Sequence, residues 1–264
     1  MQWENLTSTD FSRAVQDSGV CILALGVLER HSEHLPLGTD MLNSHAVACQ
    51  AAEAEPAVVF PQFYFGQIYE ARCFPGTLTV RPTLLIELLQ AVLAEIARNG
   101  FKKIILFNGH GGNTAMLLFL AQTTLWEEAP YSLYLFGGPG YPLSPEQRKR
   151  WDKVLETSQH GHACECETSI SLATHPELVH MDRVPAEPAE PLQRLRHLPG
   201  NFSGISWYAD FPTHYAGDAR TASAEKGRAL LEIEVEALTG FIRAVKDDQV
   251  VARLNHEFFR QSEG

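Results

Sequence analysis

Short apolar runs alternate with longer amphipathic segments through the first half of the chain. Residues 20–25 are apolar at every position, which is typical of a strand buried on both faces. Similar short runs predict further strands at 57–60, 77–80, 103–107 and 133–136. Strands of this length that alternate with helices favour a parallel sheet, because parallel neighbours need a crossover between them.

Helical periodicity fills the segments between these strands. Apolar residues recur at helical spacing from Leu84 to Ile96, which predicts a helix over 83–99. The same reasoning predicts helices at 41–55, 113–128, 144–157, 165–173, 222–245 and 250–260. We therefore expect an α/β fold with three layers, α/β/α, around a mostly parallel sheet, in a single domain over residues 1–264. Residues 181–216 are rich in proline and show little periodicity.

The composition narrows the possible partners. The 264 residues are 45% hydrophobic and 20% charged, as in ordinary globular proteins, and the formal net charge is −11. Without a strongly basic stretch, we expect neither a nucleic-acid partner nor a membrane surface. No apolar run reaches the length of a membrane span, and the first residues do not resemble a signal peptide. The five cysteines form a poor disulfide framework, so we expect a cytoplasmic protein.

Two loops that follow predicted strands carry side chains able to bind metal ions. Residues 29–40 contain three carboxylates and two imidazoles, and residues 108–113 read Asn-Gly-His-Gly-Gly-Asn. Ligand sites in parallel sheets lie at the carboxyl ends of strands, where both loops begin. Imidazole with carboxylate suits zinc, manganese or iron, and a shared carboxylate can hold two ions about 3.5–4 Å apart for hydrolysis. These residues favour a metal hydrolase, with ordinary polar loops as the alternative.

Residues 160–169 also carry histidine, cysteine and carboxylate side chains, and residues 217–227 carry the carboxylates Asp218 and Glu225. Together with the first two clusters and the Phe-Pro-Gly-Thr stretch at 74–77, they resemble the creatininase (creatinine amidohydrolase) family over nearly the whole chain. The resemblance implies an α/β fold and a site for two divalent metal ions, zinc, manganese or iron. It also implies hydrolysis of non-peptide C–N amide bonds and assembly as a homohexamer.

The same resemblance assigns roles by position. It implies that Glu29 and His110 bind one ion, that His31 binds the other, and that Asp40 bridges both. A bridging hydroxide would then attack the amide carbonyl carbon. His162 matches the catalytic histidine of the family, which passes a proton to the leaving nitrogen.

The fifth metal ligand requires a separate argument. Enzymes of the family that act on creatinine carry Tyr and Glu after the histidine of the Asn-Gly-His loop, where this chain has Gly111 and Gly112. Glu165 lies three residues after His162, on the same face if the segment is helical. We therefore predict Glu165 as the fifth ligand and Glu167 as a residue that supports the ligands, with the exchange of the two left open.

The substrate is predicted to be a small cyclic or formyl amide. The aromatic residues that enclose creatinine in the family are replaced here, by Gly111 and Ser158 among others, which argues against creatinine. A formamide hydrolase, a peptidase-like member and a non-catalytic metal-binding protein remain alternatives. Trp207 is equally consistent with a substrate lid and with an interface anchor. Cys164 and Cys166 are interpreted as small buried side chains rather than nucleophiles.

Overall fold

The computed structural model describes residues 1–137, 143–200 and 202–262. Its central sheet is parallel throughout, with strand order β2-β1-β3-β4. These strands are β1 (Val20–Leu25), β2 (Val58–Val59), β3 (Lys103–Asn108) and β4 (Ser132–Phe136). A short antiparallel pair joins β5 (His160–His162) to β6 (Ala216–Gly217). The predicted parallel sheet is confirmed.

The helices of the described residues are α1 (Ser8–Ser18), α2 (Thr39–Ala54), α3 (Pro82–Arg98), α4 (Thr114–Thr123), α5 (Pro145–Val154), α6 (Glu165–Thr174), α7 (Ser206–Asp210), α8 (Ala224–Asp247) and α9 (Val250–Ser262). Alternate residues of β1 face opposite layers. Val20 and Ile22 pack with apolar residues of α2 and α8, whereas Cys21 and Leu23 pack with those of α1, α3 and α4. Both faces of the sheet are covered, so the predicted α/β/α layering is confirmed.

The register of the sheet places two loops side by side. Leu25, the last residue of β1, pairs with Asn108, the last residue of β3. The loops that follow both strands therefore leave the sheet at the same edge. Gly109 donates its amide hydrogen to the Leu25 carbonyl oxygen at 2.8 Å, which holds the second loop against the end of β1.

Several elements differ from the sequence prediction. Residues 77–80 do not form a strand; Leu78 donates to the Leu28 carbonyl oxygen, but the segment borders a loop rather than the sheet. Helix α4 ends at Thr123, five residues before the predicted end at 128. The pair β5 and β6 was not predicted, because strands this short carry no periodicity. No helix in the described ranges is both long and apolar enough to span a membrane.

Candidate metal and catalytic site

Four predicted site residues meet at the edge of the sheet. Glu29, His31 and His110 lie on the loops that follow β1 and β3, and Asp40 lies in the first turn of α2. His110 Nδ1 lies 2.9 Å from Glu29 Oε1 and 3.0 Å from Asp40 Oδ2. His31 Nε2 lies 3.1 Å from Asp40 Oδ1. All four side chains are buried. Asp40 therefore contacts both imidazoles, one through each of its carboxylate oxygens.

Asp40 belongs to two groups of potential metal ligands. One group combines Asp40 with Glu29 and His110, and the other combines it with His31 and Glu167. Within each group the ligand atoms lie within 4.8 Å of one another. A further overlapping group contains Glu29, His31 and His162. The geometry thus offers two adjacent positions for cations that share one carboxylate.

Two buried oxygens in this cluster face the same ring nitrogen. Glu29 Oε1 and Asp40 Oδ2 lie 2.9 and 3.0 Å from His110 Nδ1, and no other residue that the structure describes donates to either oxygen. A single N–H group cannot satisfy both oxygens, so at least one of them lacks a donor. A buried charged oxygen without a donor is destabilising by more than about 1–3 kcal/mol. Bound cations would satisfy these oxygens, and a donor set of carboxylates with imidazoles suits zinc, manganese or iron.

The electrostatics of the cluster also favour positive charge. Burial opposes protonation of His31, but the nearby Asp40 carboxylate outweighs burial and raises the pKa of His31 to about 10. Burial likewise opposes protonation of His110, and Glu29 with Asp40 raises its pKa well above the usual value. Two buried carboxylates therefore stabilise cationic charge at this position, whether it is carried by a proton or by a metal ion.

Glu165, which we predicted as the fifth metal ligand, does not join this cluster. Strand β5 ends at His162 and helix α6 begins at Glu165, so the two residues do not share a helix face. The Glu165 carboxylate instead accepts hydrogen bonds from the amide and hydroxyl of Thr157, at 2.8 and 2.7 Å, and pairs with Lys226. Its fully buried charge is thereby compensated outside the site.

Glu167 occupies the position predicted for Glu165. Residues two apart in a helix point to nearly opposite sides, so Glu167 faces His31 and Asp40 while Glu165 faces Lys226. The backbone amide of Ala163 donates to Glu167 Oε2 and fixes its carboxylate. Burial raises the pKa of Glu167 to about 8, and an adjacent cation would favour its ionised form.

Gly112 cannot be replaced by a larger residue without rearrangement. A Cβ atom there would lie 2.5 Å from His110 Nε2 and 2.7 Å from Gln67 Oε1. A carboxylate at this loop position would therefore require His110 and Gln67 to move. Glu167, from a different element, lies in the group with His31 and Asp40.

His162 lies beside the cluster, and its hydrogen-bond partner fixes the tautomer of its ring. The Arg30 carbonyl oxygen lies 2.8 Å from His162 Nε2 and can only accept, so Nε2 carries the hydrogen. Burial lowers the pKa of His162 to about 3, which leaves the ring neutral and its Nδ1 lone pair available. The ring lies 4.2 Å from that of His31, measured between centroids.

Sequence reasoning missed His214, which is buried beside Glu29. Trp207 Nε1 donates to His214 Nδ1 at 2.9 Å, and indole nitrogen is only a donor. The hydrogen of His214 is therefore on Nε2, which donates to Glu29 Oε2 at 2.6 Å. The only signal in the sequence was the long aperiodic segment that contains both residues.

Two cavities of about 300 Å³ each flank the cluster. His110, Gly111 and Glu167 line both of them. The first cavity is completed by Glu70, His162, Trp207 and His214 among others. The second cavity extends past Asn108 and Ser44 to Trp151, Cys166 and Glu234. Each cavity has the size of a small organic ligand.

The chain matches a known family over most of its length. A family model described as "Creatininase: Creatinine amidohydrolase" matches residues 4–242. Creatinine amidohydrolase of Pseudomonas putida is 30% identical over 254 residues, which cover 86% of this chain and 90% of that protein. The mycofactocin precursor peptide peptidase of Mycobacterium ulcerans is 29% identical over 226 residues, covering 79% of this chain and 78% of the relative.

A solved structure gives the same result for the fold. A mutant creatininase, described as its Zn-Zn type, superposes with a TM-score of 0.77 at 25% sequence identity. The match covers 92% of this chain and 97% of the creatininase chain. That relative is thus a form of creatininase with zinc.

Proposed function

Since the chain belongs to the creatininase family, we propose that it is a dinuclear metal-dependent hydrolase of C–N bonds in a small cyclic or formyl amide. The observation that carries this proposal is the pair of ligand groups that share Asp40. A hydrolase of this type needs two adjacent cation sites joined by a common carboxylate, because both ions act on the same water and amide.

The residues that would hold the ions follow from their grouping. Glu29 and His110 would hold one divalent ion, His31 and Glu167 would hold the other, and Asp40 would bridge both. Zinc, manganese and iron all suit these ligands. When bound, the two ions supply Lewis-acid polarisation of an amide carbonyl and activation of a water as the nucleophile.

His162 is the residue we assign to proton transfer. Its ring is neutral because burial lowers its pKa to about 3, and the hydrogen on Nε2 is committed to the Arg30 carbonyl oxygen. Nδ1 therefore remains to take a proton and pass it to the leaving nitrogen. His214 and Trp207 hold the Glu29 carboxylate in one orientation through hydrogen bonds to Oε2.

The size of the first cavity, which His162 and Trp207 line, supports a small amide rather than a peptide. About 300 Å³ is at the lower end of the volumes typical of ligand pockets. Trp207 closes one side, with its ring centroid 6.2 Å from that of His162. A Cβ atom at Gly111 would meet nothing within 4 Å, so the aromatic wall expected around creatinine is missing there.

The test is to measure metal content and amide hydrolysis on the same preparation. We expect two transition-metal ions per chain and release of carboxylate from formamides or small lactams. Chelation should abolish this activity, and zinc, manganese or iron should restore it. Absence of bound metal, even after these ions are added, would contradict the proposal and favour a non-catalytic binding protein.

We further propose that the protein is a cytoplasmic homohexamer, as the family resemblance implies. Helix α9 supports self-association, because Val250, Leu254 and Phe258 are each 45–51% exposed and recur every four residues. Such a stripe would be buried against another copy of the chain. Light scattering that gives the mass of a single chain at micromolar concentration would contradict the hexamer.

A further inference from the structure

Three side chains outside the two ligand groups that share Asp40 form another cluster of potential metal ligands. They are His160, Cys164 and Cys166, whose donor atoms all lie within 4.8 Å of one another. The two Sγ atoms are 3.2 Å apart. None of the three residues belongs to the two groups that share Asp40. The cluster therefore has its own set of donors.

The local fold brings these donors together. His160 begins β5, and Cys164 directly precedes α6, so the turn between these elements folds the imidazole back over the thiols. Ala163 in this turn has φ of 53°, a left-handed conformation that is uncommon for a residue with a side chain. Packing from β6 closes the other side, since a Cβ atom at Gly217 would lie 2.6 Å from Cys164 Cβ.

The position of Cys164 favours a thiolate on geometric grounds. Cys164 directly precedes the first residue of α6, and the positive potential of a helix N-terminus stabilises a thiolate there. Cys166 Sγ lies 3.2 Å from Cys164 Sγ, so both sulfur atoms can reach one cation.

We propose that His160, Cys164 and Cys166 bind a soft cation such as Zn²⁺ or Cu⁺, at a site separate from the two ligand groups that share Asp40. Thiolates select soft ions, whereas the Asp40 groups offer carboxylate and imidazole. Three protein ligands with one open position are a known arrangement for zinc. Cys164 is 2% exposed, whereas His160 lies at the surface and gives the ion a route of entry.

Binding of an ion would link two neighbouring elements and stabilise the fold around His162. The ligands flank residues 161–163, so an ion held by them would fasten β5 to the first turn of α6 on both sides of His162. Because binding to the folded state stabilises it, the midpoint of thermal unfolding should rise with the concentration of the ion.

The test is a cadmium titration of the Asp40→Ala variant. This substitution removes the carboxylate that the two other ligand groups share, so that they do not contribute to cadmium binding. Cadmium bound to thiolate gives a charge-transfer band in the near ultraviolet. In this variant we expect the absorbance of the band to saturate at one cadmium ion per chain. Adding Cys164→Ser and Cys166→Ser to the same variant should abolish the band. Cys73→Ser is the matched control, since Cys73 is an exposed free thiol far from the cluster in sequence, and the band should persist.

His160→Ala keeps the test decisive if the double cysteine variant does not fold. His160 is exposed, so its replacement should not disturb the core. Loss of a residue that only supports a metal ligand already lowers affinity by about 10–100-fold, so loss of this ligand should lower cadmium affinity by about tenfold or more. An unchanged band in the double cysteine variant, or an unchanged cadmium affinity in His160→Ala, would overturn the proposal. A disulfide between the two cysteines with no band would overturn it as well. Loss of hydrolysis in Asp40→Ala bears only on the proposed function.

Discussion

The candidate site has two halves that are built in different ways. Glu29, His31 and His110 lie on loops that leave the ends of two neighbouring parallel strands, and Asp40 lies in the first turn of α2, which follows the first of these loops. The other half, residues 156–217, contributes His162 from the short strand β5, Glu167 from α6 and His214 from the loop before β6. The register of a sheet fixes the first half, whereas individual side-chain contacts fix the second. The two halves should therefore respond differently to substitution.

Contacts from helix α8 hold the second half in place. Lys226 at the start of α8 pairs with Glu165, and the Ser223 amide donates to Ser169 Oγ at 3.2 Å. Helix α8 also approaches α6 closely, since a Cβ atom at Gly227 would lie 1.8 Å from the Ser169 carbonyl oxygen. The position of Glu167 thus depends on how α8 packs against α6.

The largest effect is expected from Asp40→Ala in the first half. Asp40 belongs to both ligand groups, so its removal should release both ions. Hydrolysis should fall by more than about 10³-fold, beyond the 10–100-fold cost of losing a residue that only supports a ligand. Metal analysis and amide hydrolysis would be measured on the same sample.

Glu33→Gln is the matched control for this substitution. Glu33 lies on the same loop, but its side chain is 68% exposed and pairs with Arg30. Both ions and the activity should remain. Full metal occupancy in Asp40→Ala would show that Asp40 does not bridge.

The second prediction separates the two glutamates of α6. Glu167→Gln should release one ion, because Glu167 groups with His31 and Asp40, and activity should fall by about 10²–10³-fold. Glu165→Gln should keep both ions and instead lower the free energy of unfolding by about 2–3 kcal/mol, since Lys226 would lose a buried partner but keep Glu156. Elemental analysis and urea denaturation would distinguish the two effects.

The opposite pattern would restore the original assignment. If Glu165→Gln released an ion while Glu167→Gln kept both, Glu165 would be the ligand. In that case α6 would have to rotate relative to the structure described here, and the pairing of Glu165 with Lys226 would be broken.

The sequence predicted the first half of the site better than the second half. Strand β1 was predicted at its observed limits, because a wholly apolar run has few alternatives once both faces are buried. The convergence of the two loops follows from parallel topology alone. The strand predicted at 77–80 was wrong, because apolar content there reflects contact with a loop and not pairing in the sheet.

The second half could not be placed from spacing. The choice of Glu165 assumed that one helix runs through His162, whereas the chain changes from β5 to α6 between them. His214 contacts Glu29 across 185 positions of the sequence, and no local pattern records such a contact. A tertiary contact decides both cases, so one sequence contains too little information to predict them.

A third prediction tests whether His214, in the second half, affects metal affinity at Glu29, in the first half. His214→Gln removes the imidazole that connects Trp207 to Glu29, and the affinity of the ion held by Glu29 should fall by about 10–100-fold. Trp207→Phe keeps an aromatic ring but loses the indole donor, so its effect should be smaller. Titration with a competing chelator would measure both, and equal affinities in all three proteins would show that this connection does not matter.

The smallest effect is expected in the pH dependence of stability. Burial alone would raise the pKa of the Glu165 carboxyl, but hydrogen bonds from Lys226 and Thr157 outweigh burial and lower this pKa to about 2. A carboxyl whose pKa is lower in the folded state stabilises the protein above its unfolded pKa, near 4.3, and this contribution is lost as the pH falls toward 2. The free energy of unfolding should therefore decline from about pH 5 downward.

Comparison of Glu165→Gln with the unsubstituted protein isolates this contribution. Both proteins are titrated without metal ions, so that ligand protonation does not add to the signal. The difference in unfolding free energy should be largest near neutral pH and shrink in acid, because the native carboxyl is then neutralised as in the amide. A difference that stays constant from pH 7 to pH 3 would show that packing, and not charge, makes Glu165 important for the second half of the site.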